Sequence, residues 1–560
     1  MTGIPKMTLS EEKIDTDVLV VGAGAGGMMA AISAAECGAK VTLCEKGNAR
    51  RSGGLHGGND HFMCYIPGIH TPDLREKYIR ISLSRGMGDE EMIRKRIDLT
   101  YEVVKKWEDY GIHMKTNGHY EFVGHGWPGS SGRMGEPGKT SRMFLHFSDS
   151  AASKKLEKQA RNKGVRIINR VMVNELLKDS SGRAIGAVGI STREPKIYII
   201  RFKTIVFNQG KVDRDRLYAS PHTISYGMAM PGTGDGIMMA YRAGADLKNA
   251  EVCRRQVAQR FGPPVGKGTW IGVTRDNDGN PIAPPYLKEP DLEIGDMAIE
   301  NPDALDHIWE TGKGPAWMDV RGISQEDEEY MRWGFESEGM KPFFNWLDQE
   351  EKVDVKKSRF EFVALQPETG IQIKIDTNYR ATLEGVYAIL RGNLPVNAVG
   401  GMVAGETAAK EAQNSDLSDL ASNNDKISNL KQSYEQILSR EGLHYSDWRE
   451  AQWAINQTMH CYALPPKRTE GTLMAGHHQI LKIRDKAKKL LKATNQNELC
   501  HCLEVLNLLD IAELVLIAVK ERKESRGQAR RQDYPFPNPM LDNKSLVISK
   551  VDGKPALKWE

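Results

Sequence analysis

The sequence predicts an α/β fold: a mostly parallel sheet flanked by helices, broken by an insertion and followed by a helical region. Three observations predict it. A β-rich apolar run, Asp17–Val21, leads at once into Gly22-x-Gly24-x-x-Gly27, then a helix-like run over 28–36 and a second strand over Lys40–Cys44. A later β-rich segment, Thr204–Gly210 (TIVFNQG), reads as a further strand ending in glycine. From 427 to 530 the apolar spacing is mostly helical.

Each part of the opening motif has a physical role. A parallel strand buried on both faces reads as a continuous apolar run. Gly22 permits the tight turn, Gly24 lets a pyrophosphate approach the backbone, and Gly27 allows helix and strand to pack closely. The N-terminus of the helix that follows offers free N–H groups and partial positive charge, and Ala25 and Gly26 in the turn are candidates for cofactor contact. Glu45 closes the second strand, where its carboxylate can accept from ribose hydroxyls. Strand, glycines, helix, strand and acid in this order predict a dinucleotide site. Its position near the N-terminus, followed by EKGNARRSGG (45–54), favours FAD over NAD. Lys46, Arg51, Ser52, Gly53 and Gly54, with Gly58 just beyond, are therefore candidates for cofactor contact. Gly210, at the end of the later strand, and Asp235, in GTGDGIMMAYRAGADL (232–247), join them. Val173 is a further candidate, as are Asn397, Gly400, Gly401 and Met402, where a helix beginning near Gly400–Gly401 would aim N–H groups at the flavin ring.

Bulk properties narrow the class. The chain has 560 residues, enough for two to four packed units at roughly 150 residues each. Its net charge of +3 and lack of basic–aromatic interleaving do not suggest nucleic acid as a partner. No run approaches the ~20 apolar residues that span a bilayer. LNLLDIAELVLIAVK (506–520) reads instead as a buried amphipathic helix. The polar N-terminus predicts a cytoplasmic address. Seven scattered cysteines form no C-x-x-C pair, so no metal site is predicted.

Residues 1–16 read as a polar arm. The predicted organisation is a dinucleotide-binding domain over 1–249, resumed at 366–413, with an inserted domain at 250–365 that lacks parallel-strand signals. Asn414–Lys426 reads as a polar linker, 427–530 as a helical domain, and 531–560 as a tail with a hairpin around Asp552-Gly553.

Several segments in order resemble the flavoprotein subunits of the fumarate reductase/succinate dehydrogenase superfamily. They are GAGAGG, EK…RSGG, TGDGIMMAYRAGADL, LEGVYA (383–388) with GGMVAGETAAKEA (400–412), and KESRGQARRQDYP (523–535). The resemblance spans nearly the whole chain. It implies a Rossmann-like FAD-binding domain with a mixed parallel sheet, an inserted α+β capping domain and a C-terminal helical domain. Within the superfamily the chain is most similar to adenylylsulfate reductase alpha-subunit-like flavoproteins, on RSGG and AEVCRRQVAQRFGPPVGKGTW (250–270). By that similarity Arg260 would meet the anionic group of a substrate, with Asn59 as an active-site asparagine and His56 a further candidate.

The departures from the family pattern are informative. Members with covalent flavin carry histidine after Arg-Ser, whereas Arg51-Ser52 is followed here by Gly53, which predicts non-covalent FAD. The segments that carry the dicarboxylate-clamping histidines read ALQPETGIQIKID (364–376) and RGNLPVNAVGG (391–401), and neither contains histidine. Two substrate carboxylates without those cations would lie uncompensated, which disfavours fumarate. In place of the usual acid that holds the ribityl chain stands Ile389-Leu390-Arg391-Gly392, leaving Glu406 or a backbone group to substitute. The chain therefore reads as an FAD-dependent oxidoreductase. It would pass two electrons between a small anionic substrate and an iron–sulfur (ferredoxin-like) subunit or carrier, as part of a homo- or hetero-oligomer. The alternative is an FAD subunit of a larger redox complex that transfers electrons without turning over substrate.

Overall fold

The computed structural model describes residues 8–57, 61–84, 89–123, 143–147, 149–208, 210–212, 214–218, 232–254, 257–263, 272–282, 302–337, 341–364, 367–390, 392–465, 467–526 and 529–560. Its centre is a five-stranded parallel sheet in the order Val386–Ala388, Thr204–Phe207, Val18–Val21, Val41–Glu45, Arg166–Asn169. Val18 and Val20 face one apolar core and Leu19 and Val21 the other, so the sheet is buried on both sides. On one side pack the helices Ala25–Glu36 and Leu394–Gln413, both rich in small residues. A methyl group on Gly401 would stand 2.0 Å from Gly26 O, and one on Gly405 2.2 Å from Ala30 O. The two backbones thus touch, and only glycine permits that approach.

The predicted helix start near Gly400 is corrected. The helix begins at Leu394, with Asn393 as its N-cap accepting from Val396 N and Pro395 in its first turn. Gly400 and Gly401 therefore lie inside the helix, and their role is close packing. Asparagine at the cap and proline in the first turn explain the earlier start.

The expected polar arm is also corrected. Ser10–Asp15 is a strand, parallel to Lys196–Arg201, which continues antiparallel to Ala184–Ser191 and Val171–Lys178. Only Ile14 of this strand is buried, while Glu12 pairs with Lys196 and Asp15 with Arg201. Polar residues cover the outer edge and hide the strand from an apolar-pattern reading.

The inserted region carries a four-stranded antiparallel sheet in the order Val257–Gln259, Arg359–Ala364, Ala316–Asp319, Val273–Arg275. Its core mixes aliphatic and aromatic side chains, with Phe335, Phe343 and Phe362 fully buried. The terminal hairpin Leu546–Val551/Lys554–Trp559 turns through Asp552 (φ 49°) and Gly553 (φ 78°), both in the left-handed region that a tight two-residue turn requires. It pairs with Leu247–Lys248 of its own chain, which covers one of its edges.

Four helices, Asn424–Ser439, Trp448–Ala463, Glu470–Leu490 and Gln496–Glu521, form the C-terminal bundle. The last is buried on nearly every side rather than amphipathic, because it sits between the bundle and the parallel sheet's core. The linker is shorter than expected: a turn at Ala421–Asn423 docks through Asn423 Nδ2 to Lys178 O, and the helix resumes at Asn424. No helix among the described residues is long and apolar enough to cross a membrane.

Candidate functional site

Four chain segments meet at the carboxyl ends of the parallel strands, where ligands of open α/β sheets bind. The Val18–Val21 strand enters the turn through Gly22 (φ 98°). A methyl group on Gly27 would lie 1.8 Å from Gly22 O, so no other residue fits there without rebuilding the turn. Gly24 caps the helix and supplies no side-chain hydrogen bond, so its first N–H groups face outward without a side-chain acceptor.

Glu45 ties the turn together. Its carboxylate accepts from Ala23 N at 2.7 Å, Gly47 N at 2.6 Å and Ser52 Oγ at 2.8 Å. The segment after it folds back: Gly53 (φ 73°) rests on Gly24, and a methyl group there would stand 2.8 Å from Gly24 Cα. The segment after Glu45 thus returns to the glycine turn at Gly53. Arg51 and Gly54 are exposed at its rim.

The third segment supplies a residue that sequence reasoning missed. Asn208 follows the Thr204–Phe207 strand, donates its N–H to Val21 O and is buried. Its side-chain amide lies against the turn: methyl groups on Gly24, Gly26 and Gly27 would meet its amide atoms at 3.2, 2.8 and 3.1 Å. Its signal in the sequence was its place one residue past a late strand beside the fingerprint strand. The fourth segment is the start of the Leu394–Gln413 helix. Asn397 Nδ2 donates to Gly392 O and Asn393 O, and Asn397 O would meet a methyl group on Gly26 at 2.7 Å. Met402 is buried in the core behind it.

Lys46 turns the other way. Its ammonium donates to Asp235 Oδ2 and Glu504 Oε1, each at 2.7 Å, and to Thr233 Oγ1 at 3.0 Å. Asp235 also accepts from Asn507 Nδ2, and Glu504 from Arg216 and His501. Burial opposes ionisation of Glu504, but Lys46, His501 and Arg216 outweigh it and hold its carboxyl below the usual range. Burial likewise opposes the charge of Lys46, but Asp235 and Glu504 raise it above the ordinary lysine range. Two predicted cofactor contacts, Lys46 and Asp235, therefore join each other in an ion network that locks the turn's far side to the C-terminal bundle.

Val173 is a core residue of the Val171–Lys178 strand. Gly210 (φ 70°) stands in open space past the Thr204–Phe207 strand. Arg260, half-exposed in the inserted domain, gives one Nη1 bond to Glu361 at 2.6 Å and lies 5.3 Å from the Phe261 ring and 5.9 Å from that of Trp309. His56 belongs to the turn Gly54–Gly57, but its side chain, like all of Gly58 and Asn59, lies outside the described residues. Cys500 and Cys502 face different neighbours, Met172 Sδ and Lys492 O.

A glycine turn between parallel strand and helix, an acid at the next strand's end and a segment folded back over the turn define a Rossmann-type flavoprotein. The comparisons with known proteins agree. Residues 17–270 match the FAD binding domain family, and residues 454–560 match the fumarate reductase flavoprotein C-terminal family. The chain is 24% identical to one subunit of the fumarate reductase (CoM/CoB) of Methanothermobacter marburgensis, over 97% of this chain and 99% of that one. It is 24% identical to L-aspartate oxidase of Yersinia pestis, over 94% and 98% respectively. Adenylylsulfate reductase from Archaeoglobus fulgidus shares the fold at a TM-score of 0.82 and 18% identity, covering 100% of this chain and 98% of that one. With these two matched domains the chain is a flavoprotein of the fumarate reductase/succinate dehydrogenase type. It is an FAD-dependent oxidoreductase of that type.

Proposed function

We propose that this protein exchanges two electrons between a small anionic substrate and an iron–sulfur subunit or carrier, with FAD held non-covalently. The observation that carries the reading is the cradle itself. The Gly22–Gly27 turn and the uncapped helix start at Ala25 would hold the pyrophosphate, and Glu45 the adenosine ribose. Ser52 and Gly53 would border the flavin, with Gly54 and Gly58 beyond. FAD, when bound, supplies the two-electron chemistry.

Gly53 supports non-covalent attachment. A side chain at this position would stand 2.8 Å from Gly24 Cα, so the close approach of the two segments goes with glycine rather than histidine here. An anionic substrate is supported by Arg260. Only its Nη1 is engaged with Glu361, which leaves the rest of its planar fork for carboxylate, phosphate or sulfonate oxygens. Fumarate and aspartate, the compounds in the names of the two curated relatives, are themselves small dicarboxylates. The missing clamp histidines in 364–376 and 391–401 weigh against fumarate here. The first relative is by name one part of a larger enzyme, which fits work beside a partner.

Anaerobic titration of the FAD-loaded protein with a panel of small anions tests the reading. Bleaching of the flavin band by one of them supports it. No bleaching, in a preparation that dithionite reduces fully, overturns it and favours an electron-transferring role without turnover. Arg260's existing pairing with Glu361 is what that second reading rests on. Acid precipitation tests the attachment separately: all flavin should remain in the supernatant.

A further inference from the structure

A cleft of about 370 Å³ opens between the helices Asn424–Ser439 and Gln496–Glu521, on the side of the bundle that faces the strand Val171–Lys178. Its size lies within the range of small-molecule sites. It shares one residue, Asn507, with the Lys46–Asp235 network, and none with the glycine cradle.

The charge on its wall is unbalanced. Arg242, Arg440 and Lys488 line it against a single carboxylate, Asp510. Asp510 is already taken by Arg242, whose Nη2 donates to it at 2.8 Å and to Asn507 Oδ1 at 2.6 Å. Arg440 Nη1 donates to the carbonyl of Leu491. Among the described residues no carboxylate pairs with Arg440 or Lys488. Asn174 and Tyr434 also line it, and the buried Tyr434 hydroxyl lies within hydrogen-bonding reach of the Asn174 side chain. Burial pushes that hydroxyl up to about 12, and its hydrogen bond with Asn174 offsets only part of the rise. The rest of the wall is aliphatic, from Leu430, Ile437, Leu503 and Leu506.

We infer that this cleft is a second ligand site, selective for a small anion with an apolar body, such as an aryl or acyl carboxylate or sulfonate. The apolar body lies on the leucine and isoleucine floor, and the anionic head meets Arg440 and Lys488. Hydrogen bonds to a charged group are strong enough for the head to control affinity. The site is independent of the proposed redox substrate, so either reading stands or falls without the other.

Equilibrium dialysis of the FAD-loaded protein against naphthalene-2-sulfonate and its neutral counterpart 2-naphthol tests the inference. The sulfonate is expected to bind saturably, at least tenfold more tightly than the naphthol. The double variant Arg440→Gln, Lys488→Gln should lose at least tenfold in sulfonate affinity, keep its naphthol affinity and keep its flavin content. Leu506→Trp, which fills the cleft, should abolish binding of both probes while flavin content is unchanged, and guards against misfolding of the double variant. Absence of saturable sulfonate binding, equal affinity for the two probes, or sulfonate binding unchanged in both variants would each overturn it.

Discussion

The nucleotide turn is gripped from two sides, and the two grips differ in kind. On one side the helices Ala25–Glu36 and Leu394–Gln413 meet backbone to backbone, through Gly26 against Gly401 and Ala30 against Gly405. On the other, Lys46 reaches Asp235 and Glu504 across a buried ion network. The first seam has no room for added volume and carries no charge. The second tolerates changes of shape but not the loss of one charge from a set that balances in low dielectric. Glu45 and Lys46, neighbours in sequence, face these two sides in turn. One residue shapes the cofactor turn and the next fastens that turn to the rest of the molecule.

Substitutions separate the two grips. Gly401→Val should have the largest effect on cofactor binding. Its first added atom meets Gly26 O at 2.0 Å, a collision with backbone that no side-chain rotation absorbs. Overpacking of this kind costs roughly 1–3 kcal/mol and occasionally more, and the purified variant should lack the flavin absorbance band. A yellow, normally stable Gly401→Val protein would break the argument for the volume-limited seam. Lys46→Met comes next. Removing one partner of a buried ion set costs roughly 3–5 kcal/mol because the remaining charges are stranded, and urea unfolding reads it. Full stability in that variant would mean the network is held by Arg216 and His501 alone.

A smaller effect, but a sharper one, is the pH profile of Glu504→Gln. The folded protein holds the Glu504 carboxyl below its ordinary value of 4.5, so its contribution to stability is present above that pH and disappears as pH falls toward 2. The difference in unfolding midpoint between wild type and variant should be widest above pH 5 and shrink on acidification. A constant difference would assign the effect to lost packing. Smallest of all is the stability effect of Arg260→Ala, below about 1 kcal/mol for a half-exposed pair. If Arg260 meets the substrate, the same variant should raise KM severalfold while thermal stability barely moves.

The local motif was legible because its parts lie within thirty residues and every glycine there answers a steric need that spacing alone declares. The turn's third wall was not legible: Asn208 is an ordinary asparagine until the sheet brings it beside Gly24 and Gly26. Glu504 carried no local signal either, because its partner Lys46 lies on a different element at the opposite end of the chain. Two misreadings have simple physical sources. A pair of glycines at 400–401 imitates a helix start, while the true start is spelled out nearly two turns earlier by the asparagine cap and the proline of Asn393–Pro395. The Ser10–Asp15 strand shows one buried apolar residue, too few for any periodicity to register.

The parallel sheet places residues near 20, 206 and 387 side by side, in an order unlike their order of synthesis. On the ribosome, the wall contributed by the Leu394–Gln413 helix is missing until more than two thirds of the polypeptide has emerged. Capture of the flavin is therefore a late event in the birth of this protein. A nascent chain paused before that helix would expose the small-residue face of Ala25–Glu36 with nothing yet made to cover it.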